Sequence, residues 1–318
     1  MAVLPSLRES TSRRVPTGRG EIVFTAYWVA AVGLIVAAVA GVPLGQPAAT
    51  AVGAIVFIGG GLPHGAYDIA LLRRAVALGR TGLILAVGGY ALIAVLMATL
   101  WMAAPLVALV LFLGVAAVHF GEDWQMLDDS SLRFAAGAAV IAAPTIGHLT
   151  DVSALFVAMS DARASVIAQI ITAAAPVTLL VTAVGIAIAW RNGSRRWAAA
   201  MTLCLGLLVV LPPVCGFALF FVFLHSPRHL AQTRVALPNM TLTRWLATGA
   251  ALSALAVLGW LALEWVTPRH IDQPLVAQAF QLLASVAVPH LLLSHWLEAR
   301  LDQAGARSIL PEKKTAFQ

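Results

Sequence analysis

The chain has 318 residues, 60% of them hydrophobic and only 11% charged, with a mean hydropathy of +0.90. A soluble domain carries about 25% charged residues, so this composition excludes an ordinary soluble enzyme and places the chain among polytopic membrane proteins. Two cysteines, Cys204 and Cys215, give neither a disulfide framework nor a CxxC metal motif. The net charge of +6 comes from basic residues dispersed between apolar runs, a topology signal and not a nucleic-acid surface.

Residues 1–20 are polar and basic (Arg8, Arg13, Arg14, Arg19) and read as an uncleaved cytoplasmic tail. Residues 21–298 read as one integral-membrane catalytic domain. Residues 299–318 read as a second cytoplasmic tail, partly disordered or lying on the membrane surface. A membrane span needs about 20 apolar residues. Ten segments qualify: 22–42, 48–71, 81–103, 105–120, 132–149, 164–190, 197–211, 214–230, 245–266 and 275–297. The predicted fold is therefore all-α, a polytopic membrane protein with about ten transmembrane helices. With both termini cytoplasmic, the alternation puts 18 of the 20 basic residues on one side, with only Arg163 and Arg269 opposite. That is the asymmetry expected of a multi-pass protein of the cell (inner) membrane.

His225 and His229 follow an apolar aromatic run and are four residues apart, so a helix puts both imidazoles on one face. An ionisable side chain at membrane depth is costly without a partner and marks a functional site. The alternation places His64, His119, His225, His229, His290 and His295 at similar depth on four spans, the pattern of a buried metal site. His148 and His270 fall on the opposite side and read as ordinary loop residues. His64 sits in Gly59-Gly60-Gly61-Leu62-Pro63-His64-Gly65-Ala66-Tyr67-Asp68, where Pro63 and the glycines predict a broken helix facing protein or a cavity. Asp68, four residues on, is placed to accept the second ring N–H of a ligand histidine. Pro227 is expected to bend the helix at the His225/His229 pair. Glu122 and Asp123 read as a solvated helix end.

An all-imidazole site suits iron, zinc, copper or nickel. HExxH is absent, which disfavours a zinc protease. A mononuclear iron leaves positions free for dioxygen, and an ion within the bilayer suits a lipid-soluble substrate.

The stretch Gly61 to Asp68 resembles the G-x-P-H-G-x-x-D signature of the Brp/Blh family of membrane β-carotene 15,15′-dioxygenases. His119 in Val118-His119-Phe120-Gly121-Glu122-Asp123, the pair in His225-Ser226-Pro227-Arg228-His229, and Val288-Pro289-His290 are similar to its later stretches, in the same order. Tyr67 within the first motif and the basic N-terminus depart from the pattern. The resemblance implies Fe(II) held by His64, His119, His225 and His229, which would be the catalytic residues. It implies O2 cleavage of β-carotene at the central double bond to give two retinal, and a functional link to a retinal-binding rhodopsin. Asp68 and His290 are then candidates for groups behind the ligands. Tyr67, Phe217, Phe220, Phe221 and Trp296 are candidates for a substrate tunnel. Two other classes stay open: a di-iron membrane hydroxylase or desaturase, whose HxxxxH and HxxHH clusters are missing, and a membrane transporter, whose paired repeats are not visible.

Overall fold

A computed structural model describes residues 23–76, 79–266 and 274–309, with side chains as far as Trp296. The basic stretch 1–20, His270 and residues 310–318 of the C-terminal tail lie outside the described residues. Every described element is helical: α1 (Thr25–Val39), α2 (Pro47–Gly61), α3 (Asp68–Ala75), α4 (Arg80–Ala103), α5 (Pro105–Gly121), α6 (Ser130–Met159), α7 (Ala164–Arg191), α8 (Arg195–Val210), α9 (Pro213–Phe220), α10 (Ser226–Ala236), α11 (Leu242–Val266) and α12 (Leu275–Ile309).

All ten apolar segments are helices, and eight of them are long and apolar enough to cross a membrane. In two of the eight the span is interrupted: α2 and α3 form one, and α9 and α10 another. The other two segments, α1 and α8, have 15 and 16 residues. At 1.5 Å per residue they reach about 22–24 Å, short of the ~30 Å hydrocarbon core.

Several helices run on past their expected ends. The polar cluster His148-Leu149-Thr150-Asp151 does not end the fifth span; it marks a kink. His148 leaves helical geometry (φ −138°, ψ 44°) four residues after Pro144, and α6 resumes to Met159. His148 is thus not in a loop; its Nε2 donates to the Val210 carbonyl at 3.1 Å, tying the kink to the end of α8. Helix α12 continues to Ile309, so the segment from 299 begins as helix.

Burial sorts the helices into a centre and a periphery. The spans of α9–α10 and α12 are each 61% buried, against 11% for α4 and α11 and 17% for α7. The peripheral helices present bare apolar side chains such as Ile84, Leu85, Leu255 and Leu258, a surface that only lipid would cover. Small residues allow backbones to close up. A Cβ on Gly121 would sit 2.6 Å from the Arg133 carbonyl oxygen, so glycine there lets α5 meet α6. Outside the spans, the Asp129 carboxylate caps α6 by accepting from the amides of Ser131 and Leu132 at 2.7 and 3.2 Å. Those two bonds hold its carboxyl below the usual carboxylate range.

Candidate metal centre

His64, His119 and His225 each stand at a break or an end of a helix. His64 lies in a 3-10 turn, Leu62–Tyr67, between α2 and α3, as Pro63 and the glycines predict. His225 closes a π-helical turn, Phe221–His225, between α9 and α10, just before Pro227. A π turn inserts one residue and re-aims the rest of the helix. The two breaks pack against each other through the glycine run. A Cβ on Gly60 would come within 2.6 Å of Val222 Cγ1, and one on Gly61 would enter the Phe221 ring. His119 sits in the last turn of α5, and His290 follows Pro289 in α12.

The rings of His64, His119, His225 and His229 converge. Their centroids are 4.5 Å (His225–His229) to 6.1 Å (His64–His119) apart. One nitrogen from each of His64, His119 and His225 lies within 4.8 Å of the other two. Asp123, His225 and His229 form a second group of the same tightness. His229 is less buried than the rest and turns Nε2 toward Asp123 Oδ1 at 3.5 Å. His290 joins from the far side, its centroid 5.1 Å from that of His64 and 5.2 Å from that of His119. His295 remains half-exposed at the edge.

Glu122 and Asp123 do not form a solvated helix end. Asp123 is 1% exposed, and its Oδ2 accepts from His225 Nδ1 at 2.8 Å. Glu122 Oε2 accepts from His119 Nδ1 at 2.9 Å, and its Oε1 lies 2.9 Å from His295 Nδ1. The i,i+3 spacing of His119 and Glu122 puts them on one face and is a legible sign of this pair. Asp68 does accept a ring N–H, but from His290 (2.8 and 2.9 Å) and not from His64. His64 Nδ1 donates instead to the Gly61 carbonyl. Arg228, fully buried, donates from Nη1 to the Asp123 carbonyl and lies over the Trp197 ring at 4.6 Å. A charged side chain mid-span costs about 2.5–3.5 kcal/mol even on the lenient insertion scales. Three buried or nearly buried carboxylates and a buried arginine are a large expense unless they serve the histidines.

The donor set fits a metal ion. His119 and His225 have each committed the Nδ1 hydrogen to a carboxylate, so both Nε2 atoms carry bare lone pairs. These two atoms face each other at 3.1 Å. Facing lone pairs repel, and a buried acceptor left unsatisfied costs about 1–3 kcal/mol. A shared cation removes both penalties. Two imidazoles bound at about 2.1 Å and at right angles hold their nitrogens about 3.0 Å apart.

An apolar cavity of about 270 Å³ ends on His64, His119 and His290. Its walls include Tyr90 and Ala94 from α4, Phe112 and Ala116 from α5, and Ala256 from α11. Its rim residues Val87, Leu252 and Leu255 are 45%, 40% and 65% exposed, so the cavity reaches the outer surface between α4 and α11. Of the tunnel aromatics expected from the sequence, only Phe221 lines it. Tyr67 stacks on Trp245, with centroids 3.7 Å apart, and donates to its carbonyl. Phe217 packs on Phe57 and Phe280, and Phe220 on Phe120. Trp296 is 39% exposed and stands apart from the cavity wall. Sequence reasoning misses the wall because α4 and α11 read as plain apolar spans.

Residues 52–298 match the model of a family described as Beta-carotene 15,15′-dioxygenase. The chain is 26% identical over 257 residues to "Beta-carotene 15,15′-dioxygenase" of the uncultured marine bacterium 66A03, covering 75% of this chain and 90% of that protein. It is 28% identical over 323 residues to "Probable beta-carotene 15,15′-dioxygenase Blh" of Halobacterium salinarum, covering 85% of this chain and 90% of that one. No solved structure matches. With its buried histidine centre and with most of its length matched, this chain belongs to the β-carotene 15,15′-dioxygenase family of membrane enzymes.

Proposed function

We propose that this chain cleaves β-carotene at the central 15,15′ double bond, consuming one O2 and yielding two retinal. The observation that carries this is the meeting of an apolar cavity, open toward lipid, with a buried cluster of bare imidazole nitrogens. His64, His119, His225 and His229 would hold the ion. Iron(II), when bound, supplies the activation of dioxygen.

The protein's own contribution is placement. The polyene has no group to protonate, so no side chain need serve as acid or base. The cavity is small beside pockets of about 300–1,000 Å³. It therefore takes the middle of a forty-carbon polyene and leaves the ends among lipid-facing helices. Holding one double bond against the cluster is the main catalytic gain such a wall provides. Glu122 and Asp123 keep the Nδ1 hydrogens of His119 and His225 in place, which fixes the tautomer that leaves Nε2 as donor. The wall of alanine, valine, leucine and phenylalanine keeps water out.

In this reading residues 21–298 form one catalytic domain in the cell (inner) membrane. On the same reading the chain crosses about ten times, the short helices α1 and α8 spanning a locally thinned bilayer, and the Lys/Arg asymmetry supports cytoplasmic termini. The retinal formed would serve a rhodopsin. Purified protein given iron(II), O2 and β-carotene should release retinal as its chromatographic product. Aldehydes of unequal length, or a hydroxylated carotenoid with two irons per chain, would overturn the reading.

A further inference from the structure

The geometry points to a fifth imidazole donor: we infer that His290 Nε2 binds the ion directly, oriented by Asp68 and Tyr90, an inference that rests on the proposed iron site. The groups that orient this ring are distinct from those behind the four histidines named above. His290 is 6% exposed and comes from α12, a helix that supplies none of those four. Its Nδ1 donates to both oxygens of Asp68, which is 3% exposed and opens α3. Asp68 Oδ2 also accepts from Tyr90 Oη of α4 at 3.0 Å. Three helices are thereby used to fix one ring.

With Nδ1 committed, Nε2 carries the lone pair, and it is buried with no hydrogen-bond partner among the described residues. This is the arrangement of His119 on Glu122 and of His225 on Asp123: a carboxylate behind, a bare nitrogen in front. The ring stands as close to His64 and His119 as the other rings stand to one another. His290 also lines the cavity, whereas His225 and His229 do not. His290 would therefore reach the ion from the substrate side.

The test uses full-length protein loaded with iron(II), and separately with cobalt(II), in wild type, His290→Ala, His290→Gln and Asp68→Asn. The readouts are X-ray absorption for the number of bound imidazoles, cobalt absorption for coordination number, and chelator competition for affinity. Wild type should show five imidazoles. His290→Ala and His290→Gln should show one fewer and bind iron at least ~10–100-fold more weakly, and added imidazole should restore the lost scattering in His290→Ala. Asp68→Asn should keep five nitrogens with affinity reduced ~10–100-fold. Four imidazoles in wild type, or a His290→Ala protein with unchanged count and affinity, overturns the inference and leaves the iron site standing. Wild-type protein that takes up no iron overturns both. The wild-type count decides the matter even if the variants fail to fold.

Discussion

His119 and His225 lie 106 positions apart in the chain, yet their Nε2 atoms are 3.1 Å apart, and the two carboxylates that aim them, Glu122 and Asp123, are neighbours in sequence. One short segment after α5 thus sets the direction of rings on two different spans.

Removing a donor should empty the site. His225→Ala and His229→Ala should each lose iron retention and cleavage while the protein still inserts in the membrane. Elemental analysis after anaerobic purification checks this. Normal iron content in either variant would count heavily against the assignment.

Asp123→Asn should cost more stability than Glu122→Gln. Asp123 faces His225, His229 and Arg228 together, and a buried arginine left beside a neutral amide loses its counter-charge. Breaking such a buried pair costs about 3–5 kcal/mol. Glu122 is 15% exposed, so its loss should show chiefly as a ~10–100-fold drop in metal affinity. Thermal unfolding in detergent, with and without chelator, separates the two effects.

Filling the cavity should spare the metal and hurt the substrate. Ala94→Phe and Ala256→Phe place a ring in the wall. Each should raise KM for β-carotene about tenfold or more, with iron content unchanged. Phe220→Ala, by contrast, removes a core ring away from the cavity. It should lower stability by about 3–5 kcal/mol without altering which bond is cut. Steady-state kinetics and product chromatography on the three variants distinguish wall from core.

Two nearby glycines should behave oppositely. Gly61→Ala drives a methyl into the Phe221 ring and should destabilise by about 1–3 kcal/mol, with iron lost in step. Gly59 has nothing within 4 Å of its would-be Cβ. Gly59→Ala should be neutral or stabilise by about 0.5–1 kcal/mol through the better helix residue. Thermal midpoints of the pair provide the comparison.

The helices are legible in the sequence because apolar length is written directly in composition. The breaks at Pro63 and Pro227 are legible too, since proline lacks a donor. Counting spans assigns His64, His119, His225 and His229 a similar depth, but their meeting needs the packing of the helices. So does the pairing of side chains. Helical spacing matches Asp68 to His64, but a 3-10 turn separates them, and the carboxylate meets α12 instead. Asp123 reads as a surface residue because its neighbours are polar; His225, Arg228 and His229 from a distant span close over it and reverse that. The cavity wall is invisible because alanine and valine look alike whether they face lipid or substrate.

The buried carboxylates have one more effect. With the imidazoles neutral, Asp68, Glu122 and Asp123 set against Arg228 leave the interior two negative charges in excess. A divalent cation restores electroneutrality; a monovalent ion under-corrects and a trivalent one over-corrects. The iron(II) proposed for this site would bring that buried charge to zero.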